Sequence, residues 1–296
     1  MYQEVTQELS DFIKATGKSQ QQIAKETALS PSVISQFLKQ SYKGDNEAVA
    51  RTVSQYLKMA ERRITETKHA CFYKDMQNTQ KVLFACFHAH CHGEIVLVYG
   101  DAGAGKTTAL EYYTKDYSGV VMVTANSCTS SAASILQMIA RKTGKVLAGK
   151  KELLMASLVD YFKNTGRLII IDEADHLTLS ALQAIRNLND QAGIGIVLSG
   201  NNKIYTQMLQ GSRCSELDQL RTRIVVRRMV RNEYSLEEFR MIFPEVPAEC
   251  LPYLIKLSTD ESLRTTIKIL ELAYKYTNEL DVKTLQAVRQ QLTEGI

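Results

Sequence analysis

One stretch of the chain constrains its fold more than any other. An apolar run, Ile95–Tyr99, leads directly into Gly100-Asp101-Ala102-Gly103-Ala104-Gly105-Lys106-Thr107. These residues match the pattern G-x-x-x-x-G-K-[ST] at every fixed position, and that pattern is typical of a loop between a strand and a helix. Its glycines let backbone N–H groups turn inward around a phosphate, and the helix predicted from Thr108 adds partial positive charge. The sequence therefore predicts a nucleotide-binding site in an α/β domain.

The side chains of this loop predict how the nucleotide is held. We expect the Lys106 ammonium to reach the terminal phosphates and the Thr107 hydroxyl to bind Mg²⁺. The predicted nucleotide-binding residues are Gly100, Asp101, Ala102, Gly103, Ala104, Gly105, Lys106, Thr107 and Thr108.

A second apolar run, Leu168–Ile171, ends in two carboxylates, Asp172 and Glu173. Because ligands of parallel sheets bind at the carboxyl ends of the strands, we expect both side chains to face the nucleotide. Asp172 is the predicted second ligand of Mg²⁺, and Glu173 is predicted to orient or polarise the attacking water. The continuation to Asp175 and His176 is superficially similar to a helicase motif. We expect no helicase, because one short sheet domain leaves no room for a second motor half.

The α/β organisation extends over residues 73–232, where short β-branched runs alternate with helical segments. This alternation predicts a parallel sheet with helices on both faces. The predicted strands are Ile95–Tyr99, Val120–Val123, Leu168–Ile171, Ile194–Leu198 and Ile224–Val226, and the predicted helices include Tyr73–Cys91, Ala132–Lys142, Glu152–Lys163 and Ser180–Asp190. Residues 233–296 are predicted to form a C-terminal helical domain with helices near Leu236–Met241, Pro252–Leu257, Leu263–Tyr276 and Val282–Leu292.

Further catalytic positions follow from the geometry of phosphoryl transfer. Ser199 and Asn201 follow the fourth predicted strand, so either side chain could contact the γ-phosphate or the water, and either could instead cap the next helix. Arg221 and Arg223 precede the fifth predicted strand at a sheet edge. A guanidinium there would stabilise negative charge in the transition state of hydrolysis. We expect it to act on the nucleotide of a neighbouring subunit.

Residues 1–60 are predicted to form a small helical domain that resembles a helix-turn-helix of the phage-repressor type. Ser30 is a favourable N-cap and Pro31 suits the first helical position, so the second helix of the pair is predicted to begin there. The predicted core consists of Ile23, Ala24, Leu29, Val33, Ile34, Phe37 and Leu38. The predicted DNA contacts, on the outward side of the second helix, are Ser32, Ser35, Gln36 and Lys39.

The alternative for this domain is a helical bundle that does not bind DNA. Residues 1–60 carry seven basic and six acidic side chains, and this difference of +1 supports only weak DNA binding by the module alone. Residues 61–72, which contain neither Gly nor Pro, are predicted to form a helical or loose connector.

A second candidate for DNA binding is the stretch from Arg213 to Arg231. Its six arginines and two acidic residues give +4, which equals the excess of the whole chain. Arg227, Arg228 and Arg231 are the predicted phosphate contacts, on a positive surface that would grip DNA when subunits stack in register. The alternative is that one or two arginines are catalytic and the others lie at solvated strand ends.

Composition excludes several other classes of protein. A chain of 296 residues with 45% hydrophobic and 23% charged residues is typical of a globular protein of about two domains. Its apolar runs, such as Ile95–Tyr99, are far too short for a membrane span, and its N-terminus does not resemble a secretory signal. Six irregularly spaced cysteines fit reduced thiols, so we expect a cytoplasmic protein without a membrane partner.

The segment Cys86-Phe87-His88-Ala89-His90-Cys91-His92 invites a metal-binding interpretation, since His88 and His92 lie one helical turn apart. Ligands on one helix face cannot surround Zn²⁺ tetrahedrally without a loop, and the sequence shows no second ligand cluster. We therefore expect the end of a helix there and not a metal site.

The combination of motifs is similar to the AAA+ ATPases. In this resemblance the phosphate loop is Walker A, Asp172-Glu173 is Walker B, the polar residues at 199–201 are sensor 1 and Arg223 is the arginine finger. Sensor 2 is Arg264, in Glu261-Ser262-Leu263-Arg264-Thr265 at the start of a lid helix. The resemblance implies an AAA+ P-loop core with a parallel sheet and a C-terminal helical lid, whose catalytic residues are Asp172, Glu173, Asn201, Arg223 and Arg264.

The order of the segments more narrowly resembles the MuB family of phage Mu-type transposition proteins, over nearly the whole chain. The segments are the helix-turn-helix followed by Tyr42–Glu47, then Ile170–Leu177, Ile196–Asn201 and the Leu263-Arg264 helix. The resemblance implies an ATPase that uses ATP and Mg²⁺ in a bacterial host cell. It would bind duplex DNA largely without sequence preference, assemble with itself into helical filaments on DNA, and deliver target DNA to a transposase.

Two other classes of function share these features. A repressor-like regulator would use ATP to switch its helix-turn-helix, prefer one operator sequence and hydrolyse ATP weakly. A helicase loader would bind a hexameric helicase and prefer single-stranded DNA.

Overall fold

The computed structural model describes residues 2–27, 29–67, 74–144, 151–209, 214–277 and 279–293. The chain forms two compact units, Met1–Ala70 and Cys71–Ile296. Among the described residues, no helix combines the length and the apolar character needed to cross a membrane. Residues 68–72 of the predicted connector and Arg213 lie outside the described residues.

Within its described residues, the first unit contains the helices α1 (Tyr2–Thr16), α2 (Gln20–Thr27), α3 (Pro31–Leu38) and α4 (Asn46–Thr67). The apolar faces of these helices meet in one core. The buried residues of this core are Leu9, Ile23, Ala24, Ile34, Phe37, Val49, Ala50, Val53 and Leu57. Since α4 continues to Thr67, residues 61–67 of the predicted connector are helical.

Helix α3 begins where the sequence predicts. The Ser30 hydroxyl accepts a hydrogen bond from the Val33 backbone N–H at 3.3 Å, and Pro31 occupies the first turn. Three predicted core residues are only partly buried, namely Leu29, Val33 and Leu38. Of the residues predicted to face outward, Ser32, Gln36 and Lys39 are exposed, whereas Ser35 is partly buried. Because α3 packs against both α1 and α2, less of its surface is exposed than if it packed against α2 alone.

The second unit contains a five-stranded sheet in which all neighbouring strands are parallel. The strands are β1 (Ile95–Gly100), β2 (Val120–Thr124), β3 (Leu168–Asp172), β4 (Gly195–Gly200) and β5 (Ile224–Val230), in the order β2-β3-β4-β1-β5. Every residue of the three central strands is buried, as expected for a sheet covered on both faces. The predicted α/β class is confirmed.

Helices pack on both faces of this sheet. The helices of the α/β part are α5 (Gln77–His92), α6 (Lys106–Asp116), α7 (Ala132–Lys142), α8 (Lys151–Phe162), α9 (Leu179–Ala192), α10 (Asn202–Leu209) and α11 (Cys214–Arg221). One face of the sheet packs on α7, α8 and α9, and the other packs on α5 and α6. The helices after β5 are α12 (Leu236–Ile242), α13 (Leu251–Asp260), α14 (Leu263–Tyr276) and α15 (Val282–Thr293), which share a further apolar core.

The main difference from the sequence-based prediction concerns β5. The apolar pattern ended this strand at Val226, but the strand continues to Val230 and includes Arg227 and Arg228. Because β5 lies at the sheet edge beside β1, its side chains need less burial, and arginine stems can lie along the sheet surface. Both arginines are therefore strand residues, not residues beyond the end of the strand.

The packing of α5 on β4 depends on Gly195. A Cβ atom added at Gly195 would lie 2.1 Å from the backbone oxygen of Ala89 in α5 and 3.0 Å from Cδ1 of Leu168. The first contact involves helix backbone, so a side chain at this position would force α5 away from the sheet.

We expect Gly195→Ala to lower the free energy of unfolding by about 1–3 kcal/mol, because the new methyl group overpacks a backbone contact. Gly44→Ala is a matched control, since the added Cβ would meet the Tyr42 ring, at 2.5 Å, and a flexible side chain can move aside. Urea unfolding followed by circular dichroism measures the change in each variant. Equal destabilisation of the two variants would contradict this account of the packing.

Candidate nucleotide-binding site

The phosphate loop joins β1 to α6, and α6 begins at Lys106 and not at Thr108 as predicted. Gly103 and Gly105 have φ angles of 75° and 88°, in the left-handed region that favours glycine. A Cβ atom at Gly105 would meet no heavy atom within 4 Å, so the backbone conformation alone requires glycine there. The loop therefore holds a conformation that most side chains would disfavour.

Gly100 is required because another strand approaches it closely. A Cβ atom at Gly100 would lie 1.8 Å from the carbonyl oxygen of Val230, at the end of β5. The backbone N–H of Asp101 donates a hydrogen bond to the same oxygen at 2.9 Å. The start of the loop is therefore fixed by the end of the edge strand.

Lys106 lies within its own loop. Its ammonium donates hydrogen bonds to the carbonyl oxygens of Gly100, at 3.0 Å, and Asp101, at 2.7 Å. Burial lowers the pKa of Lys106 below its ordinary value, and nearby carboxylates oppose that shift. These carboxylates belong to Asp172, Glu173, Asp101 and Asp175. The amine is therefore surrounded by acidic groups.

The Asp172 carboxylate connects three elements of the site. Its Oδ2 accepts a hydrogen bond from the Thr107 hydroxyl at 2.7 Å, and its Oδ1 accepts one from the Ser199 hydroxyl at 2.8 Å. Asp172 and Ser199 are both buried. The two residues predicted to bind Mg²⁺, Thr107 and Asp172, are thus in direct contact, and their oxygen atoms are of the kind that Mg²⁺ prefers.

Glu173 follows β3 in a left-handed conformation, with φ 54° and ψ 37°, which is uncommon for a residue other than glycine. Its side chain is exposed and accepts no hydrogen bond from the described part of the chain. One carboxylate oxygen of Glu173, one of Asp175 and a ring nitrogen of His176 lie within 4.8 Å of one another. Backbone strain of this kind is typical of functional positions, which fits the predicted role of Glu173.

Asn201 contacts Asp175 through both its backbone and its side chain. Its Nδ2 donates to Asp175 Oδ2 at 2.8 Å, and its backbone N–H donates to Oδ1 at 3.3 Å. Its Oδ1 accepts a hydrogen bond from the Lys203 N–H at 2.8 Å, which is the contact of a helix N-cap at the start of α10. The structure shows the capping contact, and a contact of Asn201 with phosphate or water stays a prediction.

A buried asparagine that sequence analysis missed, Asn232, holds the phosphate loop. Its backbone N–H donates to Asp101 Oδ2 at 3.0 Å, and its Nδ2 donates to the carbonyl oxygen of Ala102 at 3.0 Å. The Tyr234 hydroxyl donates to Asn232 Oδ1 at 3.3 Å, and Asn202 Nδ2 donates to Asp101 Oδ1 at 3.3 Å. No sequence pattern connects Asn232 with a carbonyl 130 residues earlier, because the contact arises only where β5 ends beside the loop.

The start of α14 also lies against the phosphate loop. A Cβ atom at Gly103 would lie 2.9 Å from Cβ of Ser262 and 3.4 Å from Cβ of Arg264. The Ser262 hydroxyl caps this helix by accepting a hydrogen bond from the Thr265 N–H at 3.0 Å. The predicted sensor-2 arginine, Arg264, is therefore next to the loop, as the sequence resemblance implies.

Comparison with known proteins identifies the family of this chain. Residues 90–208 match the model of the AAA domain family. The Mu-like prophage FluMu DNA transposition protein B of Haemophilus influenzae is 32% identical over 194 residues, a match that covers 65% of this chain and 68% of that protein. The chain belongs to this family, the MuB family. The ATP-dependent target DNA activators B of Escherichia phages Mu and D108 are 32% and 31% identical over 207 residues, covering 70% of this chain and 66% of each relative.

In this MuB-family chain, the candidate arginine fingers lie far from the chain's own phosphate loop. Arg223 directly precedes β5, whose first residue pairs with Ile95 at the start of β1. The loop follows the other end of β1, which places it about 20 Å away at roughly 3.3 Å per residue. The Arg223 guanidinium pairs with Asp190 at 2.9 Å, and that of Arg221 pairs with Asp218 at 2.9 Å. Neither arginine is placed to reach the chain's own nucleotide.

The arginines predicted to bind DNA do not share one face of the sheet. Arg227 and Arg228 pair in register with Leu97 and Val98, which belong to the apolar cores on opposite faces. The Arg228 guanidinium lies 4.7 Å from the centroid of the Phe84 ring on α5. Arg228 therefore lies on the opposite face from Arg227, because consecutive strand residues point to opposite faces, and DNA contact by these arginines stays a prediction.

Arg227 and Arg231 lie on the other side of β5, towards Tyr99. Burial raises the pKa of the Tyr99 phenol, and the charges of the two arginines oppose that shift. Arg227 donates a hydrogen bond to the carbonyl oxygen of Arg221 at 3.3 Å, and Arg231 pairs with Glu233 at 3.3 Å. Arg227 and Arg231 thus form a pair that remains a candidate for contact with phosphates.

The histidine-rich segment forms the last turns of α5. His88 Nε2 lies 2.8 Å from Glu94 Oε2, and the His88 ring stacks on the His92 ring with centroids 4.5 Å apart. Gly93 then ends the helix with φ 68°. The interpretation of this segment as a helix end agrees with the structure.

We expect Asn232→Ala to loosen the phosphate loop, because it removes a buried side chain that donates to the Ala102 carbonyl, at a cost of about 1–3 kcal/mol. Amide hydrogen exchange of residues 100–105 should become faster. Asn202→Ala is the control, since it removes a longer hydrogen bond to Asp101 at the exposed side and should change exchange little. Unchanged exchange in the Asn232 variant would show that the contact does not restrain the loop.

Proposed function

We propose that this chain is an ATP-dependent DNA-binding ATPase of transposition. It binds and hydrolyses ATP with Mg²⁺, binds duplex DNA largely without sequence preference, and assembles with copies of itself on that DNA. It then delivers the target DNA to a transposase. The observation that carries the proposal is the Thr107–Asp172 contact beside a complete phosphate loop, in a chain whose relatives are named ATP-dependent target DNA activators.

The residues of the loop fit a triphosphate with its metal ion. Lys106 would exchange its carbonyl partners for phosphate oxygens, and the loop N–H groups at the start of α6 would donate to phosphates. Thr107 and Asp172 would hold Mg²⁺, which supplies charge that offsets the phosphates. That charge is needed, because the amine of Lys106 already lies among four carboxylates.

Hydrolysis is assigned to Glu173, whose exposed carboxylate would orient the attacking water. Arg264, beside the loop at Gly103, would add positive charge near the phosphates. Arg223 would serve the nucleotide of a neighbouring copy, since its distance from its own loop excludes action within one protomer. The proposal therefore makes hydrolysis depend on assembly.

DNA binding is assigned to two regions. In the first unit, Ser32 and Gln36 are exposed on α3 and Lys39 is exposed directly after it, with Ser35 partly buried beside them. In the second unit, the arginines of β5 and the residue after it supply charge for phosphate contacts. Because neither region offers a dense array of base-reading side chains, contacts with the DNA backbone dominate the proposed binding.

The nucleotide site is tested by Lys106→Ala and Glu173→Gln. Wild-type protein should bind and assemble on duplex DNA of arbitrary sequence with ATP but not with ADP, and Lys106→Ala should fail to do so. Glu173→Gln should still bind ATP and DNA but hydrolyse ATP about 100-fold more slowly or worse, because it removes the group that orients the water. Co-sedimentation, electron microscopy and phosphate release measure these properties.

Matched controls for these variants are Lys115→Ala and Glu111→Gln, both at exposed positions on α6. Binding that ignores the nucleotide, or that is confined to one DNA sequence, would replace the proposal with a regulator. Preference for single strands together with binding to a hexameric helicase would replace it with a helicase loader.

The DNA contacts are tested by Arg227→Ala/Arg231→Ala, with Arg228→Ala measured separately because it lies on the other face. The double variant should weaken duplex binding, and it should reduce the slope of log affinity against log salt by about one for each phosphate that is no longer neutralised. Arg141→Ala, at an exposed position on α7, is the control. If all three substitutions together leave affinity and salt slope unchanged, these arginines do not bind DNA.

A further inference from the structure

The surface that presents Arg223 is formed by the end of α9, by α11 and by the turn before β5. Helix α11 packs against α9, and Arg223 lies in the turn directly after α11. The Nε atom of Arg223 lies 2.9 Å from Oδ1 of Asp190, and 57% of the side chain is exposed. The two terminal nitrogens of the guanidinium have no partner among the described residues.

The other carboxylate oxygen of Asp190 faces a second arginine. Its Oδ2 lies 3.7 Å from Nε of Arg186, a distance for an electrostatic contact and not for a hydrogen bond. Arg186 is fixed in turn, because its terminal nitrogens donate to Asn187 Oδ1, at 2.7 Å, and to Gln219 Oε1 on α11. The Asp190 carboxylate thus stands between an anchored arginine and an exposed one.

Arg221, the other candidate finger, is arranged differently. It pairs with Asp218 one turn earlier on its own helix, and 38% of its side chain is exposed. Asp218 belongs to the same helix as Arg221. Arg223 instead pairs with a residue of a different element, Asp190 of α9.

We propose that Asp190 is a positioning residue for hydrolysis in trans. By holding the Nε edge of Arg223, it presents the two terminal nitrogens to the nucleotide of a neighbouring copy. The guanidinium is a rigid plane, so fixing one edge restricts the direction of the others and lowers the entropic cost of binding a phosphate. This inference rests on the proposed function, because it requires ATP hydrolysis by an assembly of copies.

The experiment uses full-length protein on duplex DNA and compares wild type, Arg223→Ala, Asp190→Asn and the control Gln191→Ala, an exposed neighbour of Asp190 on α9. Removal of an arginine finger lowers kcat by about 10³-fold or more. Asp190→Asn should lower kcat by about two- to fivefold with an unchanged KM for ATP, as expected when a partly exposed ion pair is removed. Gln191→Ala should behave as wild type.

Assemblies that mix two variants test whether Asp190 acts in the protomer that supplies Arg223 or in the protomer that hydrolyses ATP. Glu173→Gln protomers carry Arg223, and they should bind ATP but hydrolyse it very slowly, so they should restore activity to Arg223→Ala protomers. Adding Asp190→Asn to the Glu173→Gln protomer should lower the restored activity by the factor seen above. Adding Asp190→Asn to the Arg223→Ala protomer should have no effect. If the substitution instead impaired folding in general, it would lower the restored activity in whichever protomer carried it.

The outcomes separate this inference from the proposed function. The positioning role would be overturned if Asp190→Asn left the restored activity unchanged in both protomers. It would also be overturned if the substitution lowered the restored activity equally in both. Either result would leave the proposed function standing. Full activity of Arg223→Ala alone, or no restoration on mixing, would overturn hydrolysis in trans and the role of Asp190 with it.

Discussion

The site depends on the buried carboxylate of Asp172. A charged group at the end of a central strand is costly to bury unless donors surround it, and here the Thr107 and Ser199 hydroxyls donate to its two oxygens. Those contacts join β3, β4 and the first turn of α6 at one point. The same arrangement orients a carboxylate and a hydroxyl side by side, so the contacts that stabilise the protein also prepare a pair of oxygen ligands for a hard cation.

The electrostatics of the site follow from this arrangement. Four carboxylates act on Lys106, and burial lowers its pKa against their influence. A triphosphate adds further negative charge, so the loop requires positive charge beyond that of Lys106. On the proposed function this charge comes from Mg²⁺, from Arg264 at the edge of the loop, and from a neighbouring copy. On the proposed function, the acid-rich site therefore favours hydrolysis in the assembled state over hydrolysis by a single chain.

Local patterns predicted most of the fold and the centre of the site. The α/β class and the start of α3 at Ser30-Pro31 follow from residues that are close in sequence, and these predictions are confirmed. The end of β5 was misjudged, because an edge strand tolerates Arg227 and Arg228 where a buried strand would not. Asn232 could not be found from sequence, since its contact with the loop depends on strand order: β5 lies beside β1 only in the folded sheet.

Strand β5 connects the two ends of the proposed mechanism. Its first residue follows Arg223, and beyond its last residue Asn232 holds the phosphate loop of the same chain. Between these points β5 is bound to β1 along its length, with one irregularity in register between Ile95 and Val96. A hydrogen-bonded strand cannot slide by part of a residue. A change at the loop that moves Asn232 must therefore either move the strand as a whole or break the hydrogen bonds between Asn232 and the loop. On the proposed function, one rigid element therefore links Arg223, which acts on a neighbouring copy, with Asn232, which holds the chain's own loop.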